Sequence, residues 1–299
     1  MKKVLTLFCL IFCVSTFVQA ASWKAKHVVL IGIDGWGAYS VPKAQNIPNI
    51  KSLMEQGCYT LKERSVLPSS SAINWASMFN GTATEIHGYT QWNSQKPEIP
   101  SMVTNKHGVF PTIYSIFQEA YPKAETGCLY EWGGIKYLID SLAVKHIAQA
   151  TETDKHPERL CEMAENYIKT KKPAFVSICF DQLDHTGHSI GHDTPEYYQT
   201  LSRIDTYVGR IISALKAAGI YDDTIIIMTA DHGGINKGHG GKTLKEMQIP
   251  FIIAGKNIKK GGAFYQIMMQ YDTAATIAYI FGLKQPQAWV GRPAVQVFK

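Results

Sequence analysis

Apolar residues along the chain fall into two patterns, and the two alternate. Residues 28–33, 174–180, 225–228 and 249–254 are short runs dominated by β-branched, other aliphatic or aromatic side chains, and 59–66 reads as another strand. The run at 225 has no polar interruption, as expected of a strand buried on both faces, and 28–33 reads as a strand. Between such runs, residues 48–57, 74–80, 112–121, 159–171 and 273–281 carry helix signals, and 128–132 reads as extended. The clearest helix opens with Thr194 as N-cap and Pro195 at its first position. Its apolar residues Leu201, Ile204, Val208, Ile211, Ile212 and Leu215 recur at helical spacing, and Gly219 closes it. Strands alternating with helices predict an α/β fold: a three-layer α/β/α sandwich around a mostly parallel sheet. A single domain over 21–299 accommodates the pattern. Within it, about 90–158 is aromatic but weakly periodic and reads as a small cap or insertion.

Residues 1–20 depart from this pattern. Lys2 and Lys3 precede an apolar stretch that ends in Val18-Gln19-Ala20, the form of a secretory signal peptide cut after Ala20. That stretch is short for a membrane span and nothing later approaches spanning length, so the expectation is an exported protein, periplasmic or secreted, with no span after cleavage. Of the formal charge of +6, Lys2 and Lys3 supply two, which leaves +4 and no basic run. Nucleic-acid binding therefore has little support. Cys58, Cys128, Cys161 and Cys179 remain after cleavage, widely scattered; their spacing specifies no disulfide, and Cys179 reads as a buried thiol.

In open α/β sheets, ligands bind beyond the carboxyl ends of the strands. The polar clusters of this chain sit there. Asp34 ends the first run; Ser69, Ser70, Ser71 and Asn74 follow the second; Asp181, Asp184, His185 and His188 follow the third; Asp231, His232 and His239 follow the fourth. One Asp-His pair serves equally well as a turn cap, but four such clusters on one edge are hard to explain by packing. Buried ionisable groups need partners. A carboxylate–imidazole set suits a first-row divalent metal, zinc above all. The residues alone do not choose among the three serines.

Several motifs carry a resemblance by their order and spacing. They are Gly32-Ile33-Asp34-Gly35, Ser71-x-x-Asn74, Asn80-Gly81 followed by His87-Gly88, Asp184-x-x-Gly187-His188, Thr229-Ala230-Asp231-His232-Gly233 and His239-Gly240. Together they resemble the alkaline phosphatase superfamily, and within it the nucleotide pyrophosphatase/phosphodiesterase branch, over nearly all of the chain after residue 20. The resemblance implies two Zn²⁺ ions, with another divalent metal as the alternative. It assigns Asp184, His188 and His239 to one ion and Asp34, Asp231 and His232 to the other, with the Ser71 oxygen between them. It selects Ser71 as nucleophile by its spacing to Asn74, whose amide would donate to a phosphoryl oxygen together with backbone N–H groups of the helix start. The implied activity is hydrolysis of phosphodiester or pyrophosphate bonds through a phosphoseryl-type intermediate, with a small-molecule phosphate ester or nucleotide as substrate. A phosphomonoesterase on the same scaffold is the alternative, distinguished by a cation such as Arg64 or Lys242 reaching the extra charged oxygens. A catalytically inactive binding module is the other. A sulfatase is disfavoured, since neither Cys nor Arg occurs within 68–74.

This sequence departs from the branch pattern in three places. Serine stands where the branch usually has threonine, and Ile73 and His192 stand where it often has proline. His192 reads as structural or exposed, His185 as facing away from its neighbour Asp184 on an extended segment, and His87 as a structural turn residue. Asp181 reads as a strand-end cap or a partner that orients a ligand. Trp36, Tyr89, Trp92 and Trp132 offer stacking surfaces for a base or aryl group, with core or rim packing as their commoner role.

Overall fold

A computed structural model describes residues 23–151 and 156–299. The signal-peptide reading falls on residues 1–20, outside the described residues. Among the described residues, no helix is long and apolar enough to cross a membrane.

In chain order the main elements are β1 (His27–Ile33), α1 (Pro48–Gln56), β2 (Cys58–Arg64), α2 (Ser71–Asn80), α3 (Thr84–His87) and α4 (Ile113–Ala120). Next come β3 (Thr126–Tyr130), β4 (His146–Gln149), α5 (Arg159–Lys171), β5 (Phe175–Phe180), α6 (Gln182–Ser189) and α7 (Pro195–Ala217). The chain then forms β6 (Thr224–Thr229), α8 (Leu244–Met247), β7 (Gln248–Gly255), β8 (Gly262–Ala263) and α9 (Asp272–Ile280). The strands make one eight-stranded sheet in the order β4-β3-β5-β1-β6-β7-β2-β8. β1 lies between β5 and β6 and is parallel to both, pairing Val29 with Val176 and with Ile226. β7 runs antiparallel to its neighbours β6 and β2, so the sheet is mostly but not wholly parallel.

Alternation along β1 divides the interior. Val28 and Leu30 enter a core built with Trp75 and Phe79 of α2, Phe117 of α4 and Ile277 of α9. Val29, Ile31 and Ile33 enter a second core with Ile50 and Leu53 of α1, Leu160 of α5, Leu183 of α6 and Leu201 and Ile204 of α7. Apolar side chains on both faces of each central strand must leave water, and helices on both faces satisfy that requirement. The three-layer α/β/α architecture follows. α7 begins as its sequence signals predict, with the Thr194 hydroxyl accepting from Tyr197 N–H and Pro195 next.

The stretch read as a cap is largely part of this body. β3 and β4 form one side of the sheet, and α4 covers one face. Its irregular hydrophobic spacing arises because Phe110, Ile113, Tyr114, Phe117 and Tyr130 are core residues supplied by short elements and loops. All four cysteines after residue 20 are buried free thiols, Cys179 among them.

Candidate metal-dependent active site

The polar clusters converge at the carboxyl ends of β1, β5 and β6. Parallel register places Asp34 beside the end of β5, where its N–H donates to Phe180 O at 2.8 Å. The 182–189 segment is helix α6 rather than extended. Asp184 and His188 therefore stand four residues apart on one helix face and meet at 3.1 Å (Asp184 Oδ2, His188 Nε2). His185, exposed on the other flank of α6, lines a cavity of about 420 Å³ with Glu131, Arg159 and Arg203.

His188 Nε2 lies 3.0 Å from His239 Nε2, and both rings join Asp184 in a set whose ligand atoms are all within 4.8 Å of one another. A second set of that size contains Asp34, His232 and Asp184. Asp184 here occupies the place the resemblance gives to Asp231, because its carboxylate lies between the two groups. Asp231 Oδ2 still approaches His232 Nε2 to 3.2 Å, and Asp34 Oδ1 approaches it to 3.4 Å. Ser71 Oγ is 3.1 Å from the same nitrogen.

Backbone carbonyls fix the direction of the imidazoles. His188 Nδ1 lies 3.0 Å from Lys237 O, His239 Nδ1 3.0 Å from Ser69 O, and His232 Nδ1 2.8 Å from Gly233 O. A proton on Nδ1 donates to each carbonyl and leaves each Nε2 lone pair facing the cluster, the arrangement a metal ligand requires. The carboxylates are fixed on one side only. Asp34 Oδ2 accepts from Trp75 Nε1 at 3.0 Å, and Asp231 Oδ1 accepts from the N–H groups of Gly35 and His232. Asp34 Oδ1, Asp184 Oδ1 and Asp231 Oδ2 are buried with no hydrogen-bond partner.

Electrostatics point the same way. Burial, then the charges of Asp231 and Asp184, push Asp34 far above the usual carboxylate range; burial and Asp184 do the same to Asp231. Burial also acts on Asp184, but the hydrogen bond from His188, the close approach of the His192 ring and the charges of His232 and His239 outweigh it and leave its pKa low. The Asp184 hydrogen bond lifts His188 to about 9, whereas burial lowers His232 to about 3 and also lowers His239. Three carboxylates and three inward-facing imidazoles have too few protein partners, and divalent cations fit that donor set.

The three serines have different surroundings. The Ser69 hydroxyl donates to Gly241 O at 2.7 Å, and Ser70 is the N-cap residue of α2. Only the Ser71 hydroxyl has a contact in the cluster among these three. Helix α2 begins at Ser71, three residues before the expected start, which puts the hydroxyl at the helix N-terminus. Asn74 is a correction. Its Oδ1 accepts from Val66 N–H at 2.7 Å, and its Nδ2 faces Val66 O, Pro68 O and Ser70 O at 3.3, 3.0 and 3.0 Å. An amide with two hydrogens facing three carbonyls has none to spare for a phosphoryl oxygen, so Asn74 holds the serine loop in place. The Ala72 N–H is likewise engaged, by Trp92 O at 3.1 Å.

Some residues that shape the site carried little sequence signal. Trp75 orients Asp34, while Gln270 Nε2 donates to Ala230 O and Asp231 O. His192, read as structural or exposed, is buried beside Asp184, 3.5 Å from Oδ1. His87 is structural: its Nε2 lies 2.9 Å from Ser77 Oγ, its Nδ1 accepts from Tyr89 N–H, and burial lowers its pKa to about 3. Trp36 and Tyr89 are core residues and Trp132 is partly buried, whereas Trp92 is 60% exposed. Arg64 and Lys242 form no ion pair among the described residues.

Comparison with known proteins identifies the family and the fold. The model of the type I phosphodiesterase/nucleotide pyrophosphatase family matches residues 28–276, which include every cluster residue. The chain belongs to this family. Its relatives include ectonucleotide pyrophosphatase/phosphodiesterase family member 1 of Rattus norvegicus, 24% identical over 71% of this chain and 24% of that protein. Venom phosphodiesterase 2 of Crotalus adamanteus is 22% identical over 71% of the chain and 27% of its own length. The chain thus spans about a quarter of these curated relatives. Among solved structures, murine ectonucleotide pyrophosphatase/phosphodiesterase 5, an inactive form in complex with AMP, superposes with a TM-score of 0.71 at 14% identity. That match covers 91% of this chain and 98% of the murine one. A 2-O GAG sulfatase has the same fold, with a TM-score of 0.70 at 15% identity over 91% of this chain and 73% of its own.

Proposed function

We propose that the chain is an exported hydrolase of phosphodiester or pyrophosphate bonds, with a small-molecule nucleotide or related phosphate ester as substrate and one catalytic domain over 21–299. The observation that carries this reading is the cluster of unpartnered carboxylate oxygens and inward-facing imidazoles, one of which, His232, meets Ser71 Oγ at 3.1 Å, in a member of this family. Asp184, His188 and His239 would hold one Zn²⁺, and Asp34, Asp231 and His232 the other, with Asp184 close enough to serve both. When bound, such ions supply Lewis-acid charge that lowers the pKa of a hydroxyl and neutralises phosphoryl oxygens. Ser71 Oγ forms the new bond to phosphorus as the ester oxygen leaves, and water later hydrolyses the phosphoseryl-type intermediate. Asn74 and Ser69 keep the nucleophile loop in register, and Trp75, Gly35 and Gln270 keep Asp34 and Asp231 aimed.

The test pairs metal analysis with rates on a nucleotide phosphodiester and a p-nitrophenyl phosphomonoester. About two zinc ions per chain and faster diester cleavage are expected. A monoester preference replaces the diester reading with a phosphatase, and metal-repleted protein without zinc overturns the site assignment.

A further inference from the structure

His192 belongs to neither ligand set, yet its side chain is fully buried and its Nε2 faces Asp184 Oδ1 at 3.5 Å. Neither atom has a hydrogen-bond partner at shorter range. On the opposite side of the ring, Nδ1 lies 3.2 Å from Asn236 O, which also accepts the His192 N–H at 2.6 Å. The ring fits a slot left by two glycines: a methyl group on Gly187 of α6 or on Gly234 of the 233–241 loop would overlap the imidazole. Tyr197 packs against it with ring centres 5.6 Å apart.

The ring therefore stands between two suppliers of ligands. Asn236 lies in the tight turn closed by paired Ile235 and Gly238 backbone bonds, immediately before His239. That turn is also tied to α6 by His188 Nδ1 to Lys237 O and by Lys237 Nζ to Ser189 O, but both links are exposed to water. His192 makes the better shielded link, from a buried ring to the partly buried Asn236 carbonyl. Asp184 presents Oδ2 to His188 and Oδ1 to His192, so rotation of the carboxylate disturbs one contact or both.

We infer that His192 is a positioning residue for the Asp184–His188–His239 group: it limits rotation of the Asp184 carboxylate and fixes the turn that delivers His239. The inference rests on the metal site proposed above. Partners of this kind, one step behind a ligand, typically change metal affinity about 10–100-fold when removed.

The experiment is a zinc titration of the purified protein against a competing chromophoric chelator, with the melting temperature of each metal-free protein measured alongside. His192→Ala and His192→Phe, the latter filling the slot without a ring nitrogen, should weaken zinc at the Asp184–His188–His239 site about 10–100-fold and at the other site, which shares only the Asp184 carboxylate, by less. His192→Gln, which keeps a polar group able to reach Asp184, should recover part of the loss. If His192→Ala fails to fold without metal, the Phe and Gln pair decides. Wild-type zinc affinity in His192→Phe reduces the residue to packing and overturns the inference. A wild-type protein that binds no zinc overturns the metal site itself, and the inference with it.

Discussion

Ser69, Ser70 and Ser71 share one side chain, and their surroundings separate them. The spacing to Asn74 selects Ser71 through the family resemblance, but the contact of its oxygen with His232 depends on the helix starting at that residue, which the serine run did not signal. Ser71→Ala should abolish turnover while keeping both zinc ions, measured as metal content beside rate; Ser70→Ala should be far milder, and the reverse order would move the nucleophile by one residue. Asn74→Ala leaves a loop N–H and three carbonyls without their amide. It should cost about 2–4 kcal/mol, with rate per folded molecule falling only as far as the serine loop shifts. A large loss of kcat at an unchanged melting temperature would restore the amide as a transition-state donor. Glu63 offers a test at a residue outside the ligand sets. Burial holds its carboxyl far above the usual range despite the Thr229 hydroxyl donating to Oε2 at 2.6 Å, and Oε1 has no partner. The folded chain keeps a proton that the unfolded chain releases above about pH 4.5, so this residue's contribution to stability falls as pH rises from there towards the folded pKa. Glu63→Gln has no proton to lose, and its melting-temperature advantage over wild type should grow as pH rises above about 4.5. Parallel profiles would show that the buried carboxyl is not protonated.

At the scale of elements, the central strands and α7 were legible because their signals are local: unbroken apolar runs for β1 and β6, a Thr-Pro start and helical spacing for α7. α6 was not. Its eight residues include Gly187 and bury only one large apolar side chain, Leu183, so period-based reading finds no stripe, although the four-residue spacing of Asp184 and His188 is itself a helical signal. The reversed direction of β7 was equally hidden, since pairing direction is set by how the chain returns rather than by the strand's composition. Packing between β1 and α2 sets the attitude of Asp34. Gly32 leaves room for the Trp75 ring, which a methyl group would overlap, and the same ring donates to Asp34. Gly32→Ala should displace that ring, destabilise by about 1–3 kcal/mol and weaken zinc binding at the group containing Asp34. Unchanged melting and zinc titration curves would mean that β1 and α2 adjust without disturbing the ligand.

For the molecule as a whole, the alternation of strands and helices was enough to foresee three layers, whereas the places of β3 and β4 in the sheet were obscured by core residues drawn from short elements. Zinc in the proposed sites would tie site and body together. Chelation should return the cluster to crowded, partnerless carboxylates, and zinc should raise the melting temperature again; free zinc at 100 times the dissociation constant contributes about 2.7 kcal/mol per site. A melting temperature indifferent to chelator and zinc would separate the cluster from the body's stability. The strand order has a consequence for synthesis. β1 is made first among the strands, but its two neighbours, β5 and β6, begin at Phe175 and Thr224. On a growing chain, the strand bearing Asp34 waits for partners from the second half, and His239 comes later still. Early intermediates therefore expose an apolar strand edge that a chaperone can hold. With the proposed ligand sets, tight zinc capture would become available only when the last of these segments has arrived, and bound metal would be a chemical mark that assembly of the site is complete.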